Sequence, residues 1–136
     1  FILGKGNLEA IAKESSLKVK EISYIHAEGY SGSSLKHGPF GLLEKDFPVI
    51  LIDSDQSYFS KMSNVYEEIK SRHANVITIS NNYNLQRENL ILIPQNKTFS
   101  NILSVIPMQL ISYEISIKKG INPDFPRNLA KVVTVE

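Results

Sequence analysis

Pro48-Val49-Ile50-Leu51-Ile52-Asp53 (PVILID) is apolar at every position between its proline and its aspartate, and turn-forming Ser54 and Asp55 close it. A strand with one wet face alternates apolar and polar residues. A run without alternation belongs to a strand covered on both faces, as in a parallel sheet. ANVITIS (74–80), NLILIP (89–94) and the opening FILG (1–4) read the same way. Between these runs the period changes. Leu8, Ile11, Ala12, Val19, Ile22 and Ile25 recur at helical spacing. They predict a helix from Leu8 to about Ala27, with Asn7 as its N-cap and its end near Gly29. A second helix is expected over Tyr58–Arg72, capped by Asp55 or Ser57. A third opens at Thr98 or Ser100 and runs to about Lys118, kinked by Pro107. Strands alternating with helices imply right-handed parallel crossovers, hence an α/β protein built as a three-layer α/β/α sandwich. Residues 31–44 read as a loop. The sandwich is expected to fill residues 1–120. Residues 121–136 form a tail that docks on it, because the Val-Val-Thr-Val near its end is too apolar to remain in water.

At 136 residues the chain suits one core. Fifteen basic against fourteen acidic side chains leave a net charge of +1, so neither nucleic acid nor an anionic membrane is expected as a partner. With no cysteine there are no disulfides and no thiolate metal ligands, which fits a reducing, cytoplasmic setting. No apolar run approaches the ~18 residues of a membrane span, and no secretory signal pattern opens the chain. FILGKG reads as a strand already under way, so the chain is expected to be part of a longer protein.

Taken singly, the polar candidates are ambiguous. Gly4-Lys5-Gly6 follows a strand, but Glu9 stands where a dinucleotide fingerprint needs its third glycine, so this is a tight strand-to-helix turn. Lys18 and Glu21, spaced i, i+3, make either a surface ion pair or, if Glu21 is desolvated, a proton-transfer base beside a cation. His26 reads as a helix-end histidine. The three histidines lie at no metal-ligand spacing, and neither metal nor cofactor is expected. His37 stands between Lys36 and Gly38-Pro39, in a segment that can be neither helix nor strand interior. Lys131 alone is a surface lysine.

Two longer strings change this. LKVKEISYIHAEGYSGSSLKHGPF (17–40) and FPRNLAKVVTVE (125–136), with PMQLISYEISIKKGINPD (107–124) between them, resemble the second sugar-isomerase (SIS) half and carboxyl terminus of the glutamine:fructose-6-phosphate amidotransferases. The resemblance implies a nucleotide-binding-like sandwich with five parallel strands, in keeping with the α/β reading from periodicity. It also implies an activity: fructose 6-phosphate and glutamine-derived ammonia become glucosamine 6-phosphate, the first step toward UDP-N-acetylglucosamine. On this resemblance Glu21 moves the proton between C1 and C2, and Lys18 serves proton transfer at O1. Lys131 forms a Schiff base with the open ketose, and Ala130, Lys131 and Glu21 contact the substrate. His37, linked to ring opening, is delivered to the neighbouring subunit of a homodimer. The glutaminase and the first SIS half, with its phosphate-binding loop, lie outside this chain, so the chain alone is expected to be inactive. Ser33-Ser34 departs from the family's usual glycine-glutamate. Two alternatives share the fold: a non-catalytic sugar-phosphate-binding domain, and a sugar-phosphate deglycase, which is not expected to share the tail.

Overall fold

The computed structural model describes residues 1–129. Five strands form one parallel sheet: β1 (Ile2–Gly4), β2 (Gly29–Ser31), β3 (Pro48–Asp53), β4 (Asn75–Ser80) and β5 (Asn89–Leu92). Their order is β2-β1-β3-β4-β5. The PVILID run is the central strand, in register with β4 from Pro48↔Asn75 to Asp53↔Ser80. Its side chains alternate between two cores. Val49 and Leu51 pack with Leu35, Met62, Val65 and Ile69 on one face, while Ile50 and Ile52 pack with Leu8, Ala12, Val19 and Met108 on the other. Both faces are covered, which is why the run is apolar throughout. Each fully buried Leu or Ile contributes roughly 1.5–3 kcal/mol.

Helices α1 (Leu8–Ser23), α3 (Ser100–Leu103) and α4 (Val105–Lys118) cover one face; α2 (Phe59–Lys70) and the segment between β2 and β3 cover the other. The edge strand β2 supplies the fifth strand, in a stretch whose periodicity reads as helix end and loop. It pairs with β1 through Gly29, Tyr30 and Ser31. Glycine is needed at position 29 because a Cβ there would lie 2.6 Å from the Ala12 carbonyl carbon, so β2 and α1 touch backbone to backbone.

Three local expectations change. Helix α1 stops at Ser23, not near Ala27, because Tyr24 adopts a left-handed conformation (φ 55°) that returns the chain toward β2. Ile25, though at helical spacing, is exposed in the connection. Asn7 makes no side-chain cap; main-chain bonds from Leu8 to Lys5 (3.2 Å) and Glu9 to Gly6 (3.1 Å) start the helix instead. The third helix begins at Ser100, one of its two expected openings, after a turn in which Asn96 Oδ1 accepts from the N–H groups of Thr98 and Phe99, each at 2.9 Å. It then breaks at Ser104, immediately after the residue whose carbonyl a proline at 107 would crowd. Beyond the break, Ile106, Leu110, Tyr113 and Ile117 leave an exposed apolar stripe on α4, continuing Phe99 and Ile102.

A buried ion pair fixes the loop before β5. Arg87 Nη1 lies 3.3 Å from Asp53 Oδ2, with both side chains almost completely buried. The guanidinium stacks 4.3 Å from the Tyr66 ring centroid. Burial pushes the Asp53 carboxyl up to about 6 against the opposing pull of Arg87. No helix among the described residues is long and apolar enough to cross a membrane.

Candidate active site

Helix α1 runs antiparallel to the sheet, so its last turns lie at the amino edge of the strands, where the tail comes to meet them. Lys18 Nζ donates to Glu21 Oε2 at 2.6 Å and stands 3.5 Å from Glu14 Oε1. Both members of the close pair are partly shielded, with 35% and 24% of their side-chain surfaces exposed. The Lys18 ammonium is held above the ordinary lysine range, chiefly by its hydrogen bond to Glu21, with the charges of Glu21 and Glu14 adding to it against desolvation. The i, i+3 spacing therefore forms the pair expected of it. A carboxylate and an ammonium one turn apart can take and return protons at neighbouring atoms of one ligand.

The described part of the tail docks beside this pair. Just before the tail, at the end of α4, Lys119 Nζ donates to the Ser23 carbonyl at 2.6 Å. The Arg127 N–H donates to Tyr24 Oη at 2.7 Å, and its guanidinium lies 4.1 Å from the centroid of that ring. Tyr24 thus ends the helix and anchors the tail. Neither role shows in the sequence, because its partner is 103 residues away. Between helix and tail lies a cleft of ≈ 540 Å³, walled by Lys20, Glu21 and Tyr24 on one side and by Arg127, Asn128 and Leu129 on the other. Ala130 and Lys131 lie outside the described residues.

His37 is elsewhere. It follows a 3-10 turn over Ser34–Lys36, its N–H bonded to the Ser34 carbonyl at 3.0 Å, and Gly38 beyond it takes φ 134°, open in practice only to glycine. Leu35 and Phe40 anchor this loop in the core on the α2 face, leaving His37 exposed. It does not line the Glu21 cleft. His26 lies past the end of α1 rather than on it, 83% exposed and 3.6 Å from Glu28. Among the described residues no group of three potential ligands is placed to hold a metal ion.

The family model for the SIS domain matches residues 1–119. The chain belongs to the SIS-domain family. It is 56% identical over 138 residues to a probable isomerizing glutamine--fructose-6-phosphate aminotransferase of Acanthamoeba polyphaga mimivirus, across 100% of this chain and 23% of that protein. It is 45% identical to the Clostridium perfringens glutamine--fructose-6-phosphate aminotransferase, with the same two coverages. The C-terminal domain of the glucosamine-fructose-6-phosphate aminotransferase from Francisella tularensis superposes with a TM-score of 0.82 at 33% identity, over 90% of this chain and 36% of that one. The SIS chain thus spans about a quarter of the length of these curated relatives. Its five-stranded parallel α/β sandwich is the fold expected from the sequence.

Proposed function

We propose that this SIS chain is the second isomerase unit of an isomerizing glutamine–fructose-6-phosphate aminotransferase, acting in the cytoplasm on fructose 6-phosphate and ammonia to give glucosamine 6-phosphate. The observation that carries this reading is the tail docked across Tyr24, which ends its described course at Leu129 on the wall of the Glu21 cleft. Lys131 is two residues further, and two residues span at most ~7 Å.

The proposed chemistry assigns roles to Glu21, which lines the cleft, to Lys18, which is bonded to it one turn away, and to Lys131 in the tail beyond Leu129. The Lys131 amine condenses with the C2 carbonyl of the open-chain ketose and water leaves. Ammonia adds at C2 and expels the lysine, giving the sugar imine. Glu21 removes a proton from C1 and returns it to C2, while the O1 proton passes through Lys18 and the imine nitrogen becomes the amine. Ring opening, which must come first, falls to His37. Its exposure on the opposite face supports a role in the site of a neighbouring subunit rather than in its own. The apolar stripe on α4 supports assembly with further protein surface.

The test is Glu21→Gln in the protein that carries this chain. Glucosamine 6-phosphate formation and solvent hydrogen exchange at C1 should fall together, by about 10²–10⁴-fold. Unchanged C1 exchange would remove Glu21 from the proton-transfer role. The chain by itself should show negligible isomerisation, and measurable turnover by it alone would contradict the division of labour proposed here.

A further inference from the structure

The carboxyl edge of the sheet holds a second open space. In this strand order ligands are expected beyond the strand ends where β1 and β3 diverge. Here Tyr58 closes that place: its ring packs against the Gly4–Gly6 turn, with Lys5 Nζ 5.9 Å from the ring centroid and bonded to Ser33 Oγ at 2.9 Å. The open crevice lies further along, beyond β3, β4 and β5. Its volume is ≈ 750 Å³, within the range of small-molecule sites.

Six carboxamides line this crevice, and four of them, Asn81, Asn82, Gln95 and Asn96, are each held at one end by a main-chain partner of fixed polarity. Asn81 Nδ2 donates to the Ser54 carbonyl at 2.9 Å, and Gln95 Nε2 donates to the Asn81 carbonyl at 2.9 Å. Asn82 Oδ1 accepts from the Asn84 N–H at 3.1 Å, and Asn96 Oδ1 accepts from Thr98 and Phe99. A carbonyl only accepts and an N–H only donates, so all four amides have determined orientations. Their other ends make no hydrogen bond among the described residues: the oxygens of Asn81 and Gln95, and the amino groups of Asn82 and Asn96. Two acceptors and two donors are thus set in advance, without the ordering penalty that mobile side chains carry. Lys97 and Asp55 in the wall cancel in charge, and Phe59 adds an apolar ring. Hydroxyl groups, which both donate and accept, match this lining; a phosphate, which needs donors and positive charge, does not.

We propose that this crevice binds a neutral polyhydroxylated ligand, a sugar or sugar alcohol, through Asn81, Asn82, Gln95 and Asn96. The site is separate from the Glu21 cleft and does not depend on the isomerase reading. The test is an NMR titration of the 136-residue chain with D-glucitol, following the carboxamide NH₂ signals, with inorganic phosphate as the contrasting probe. Saturable shifts at these four side chains are expected, with a Kd of about 1 mM. Asn96→Asp and Asn82→Asp keep the oxygen that accepts from the main chain but lose the outward donor. Each should weaken glucitol binding about tenfold while preserving the dispersed spectrum. The proposal is overturned if glucitol gives no saturable shift, if its shifts map to the Glu21 cleft, if phosphate displaces it, or if both folded variants bind glucitol as tightly as the parent.

Discussion

Replacing Arg87 by Met isolates the buried Asp53 carboxyl, and the consequence should depend on pH in a calculable way. In the intact chain the folded-state pKa of Asp53 stands at about 6 against an ordinary value of 3.8. The unfolded chain releases that proton first, so this group's contribution to stability falls as pH rises from about 4 to about 6 and then levels off. Without the guanidinium, the folded state should keep Asp53 neutral through neutrality, and the decline should continue. Below about pH 6 both proteins hold a neutral Asp53. There the variant should lose the stacking of Arg87 on Tyr66 and its long hydrogen bonds to Thr78 Oγ1 (3.3 Å) and Ser63 Oγ (3.4 Å), about 1–2 kcal/mol in all. Above it the gap should widen by about 1.4 kcal/mol per pH unit. Near pH 8 the total should be about 4–5 kcal/mol, within the ~3–5 kcal/mol expected for breaking a buried pair. Urea denaturation of both chains at a series of pH values measures this directly. The double variant Asp53→Asn/Arg87→Met should lose the extra slope. A single-variant deficit that is the same at pH 5 and pH 8 would refute the reasoning.

Three further outcomes follow from the geometry. Gly29→Ala should destabilise the chain by about 1–3 kcal/mol, because its Cβ meets α1 backbone at 2.6 Å, whereas Gly41→Ala, with nothing within 4 Å, should be close to neutral in a thermal melt. Tyr24→Leu removes both the acceptor and the aromatic platform of Arg127; hydrogen exchange at residues 125–129 should accelerate, with about 1 kcal/mol lost overall. In the protein that carries this chain, mixing His37→Ala and Glu21→Ala subunits should restore a fraction of the activity that each variant lacks, and absence of recovery would argue against a site shared between subunits.

The sheet was legible because both its faces are covered: PVILID, ANVITIS and NLILIP could be strands of only one kind, and the helical spacings between them set the layers. The edge strand β2 was not, since Gly29-Tyr30-Ser31 has no apolar run and is a strand only by pairing with β1. Nor was the α1 terminus legible, because Ile22 and Ile25 keep helical spacing while the actual stop is a left-handed Tyr24, a conformation that no sequence pattern marks. At the site, Lys18–Glu21 followed from local spacing. The Tyr24–Arg127 anchor, the Asp53–Arg87 pair and the carboxamide crevice join segments far apart in the chain, so nothing local announces them.

The proposed mechanism depends on the tail bringing the Lys131 amine to the cleft that Glu21 lines. Borohydride reduction of the protein that carries this chain, in the presence of fructose 6-phosphate, tests that most directly. Peptide mapping should find the hexitol phosphate on Lys131 and on no other lysine of the chain, with labelling reduced in the Tyr24→Leu variant. An unmodified Lys131, or an adduct on Lys18 or Lys20 instead, would contradict it.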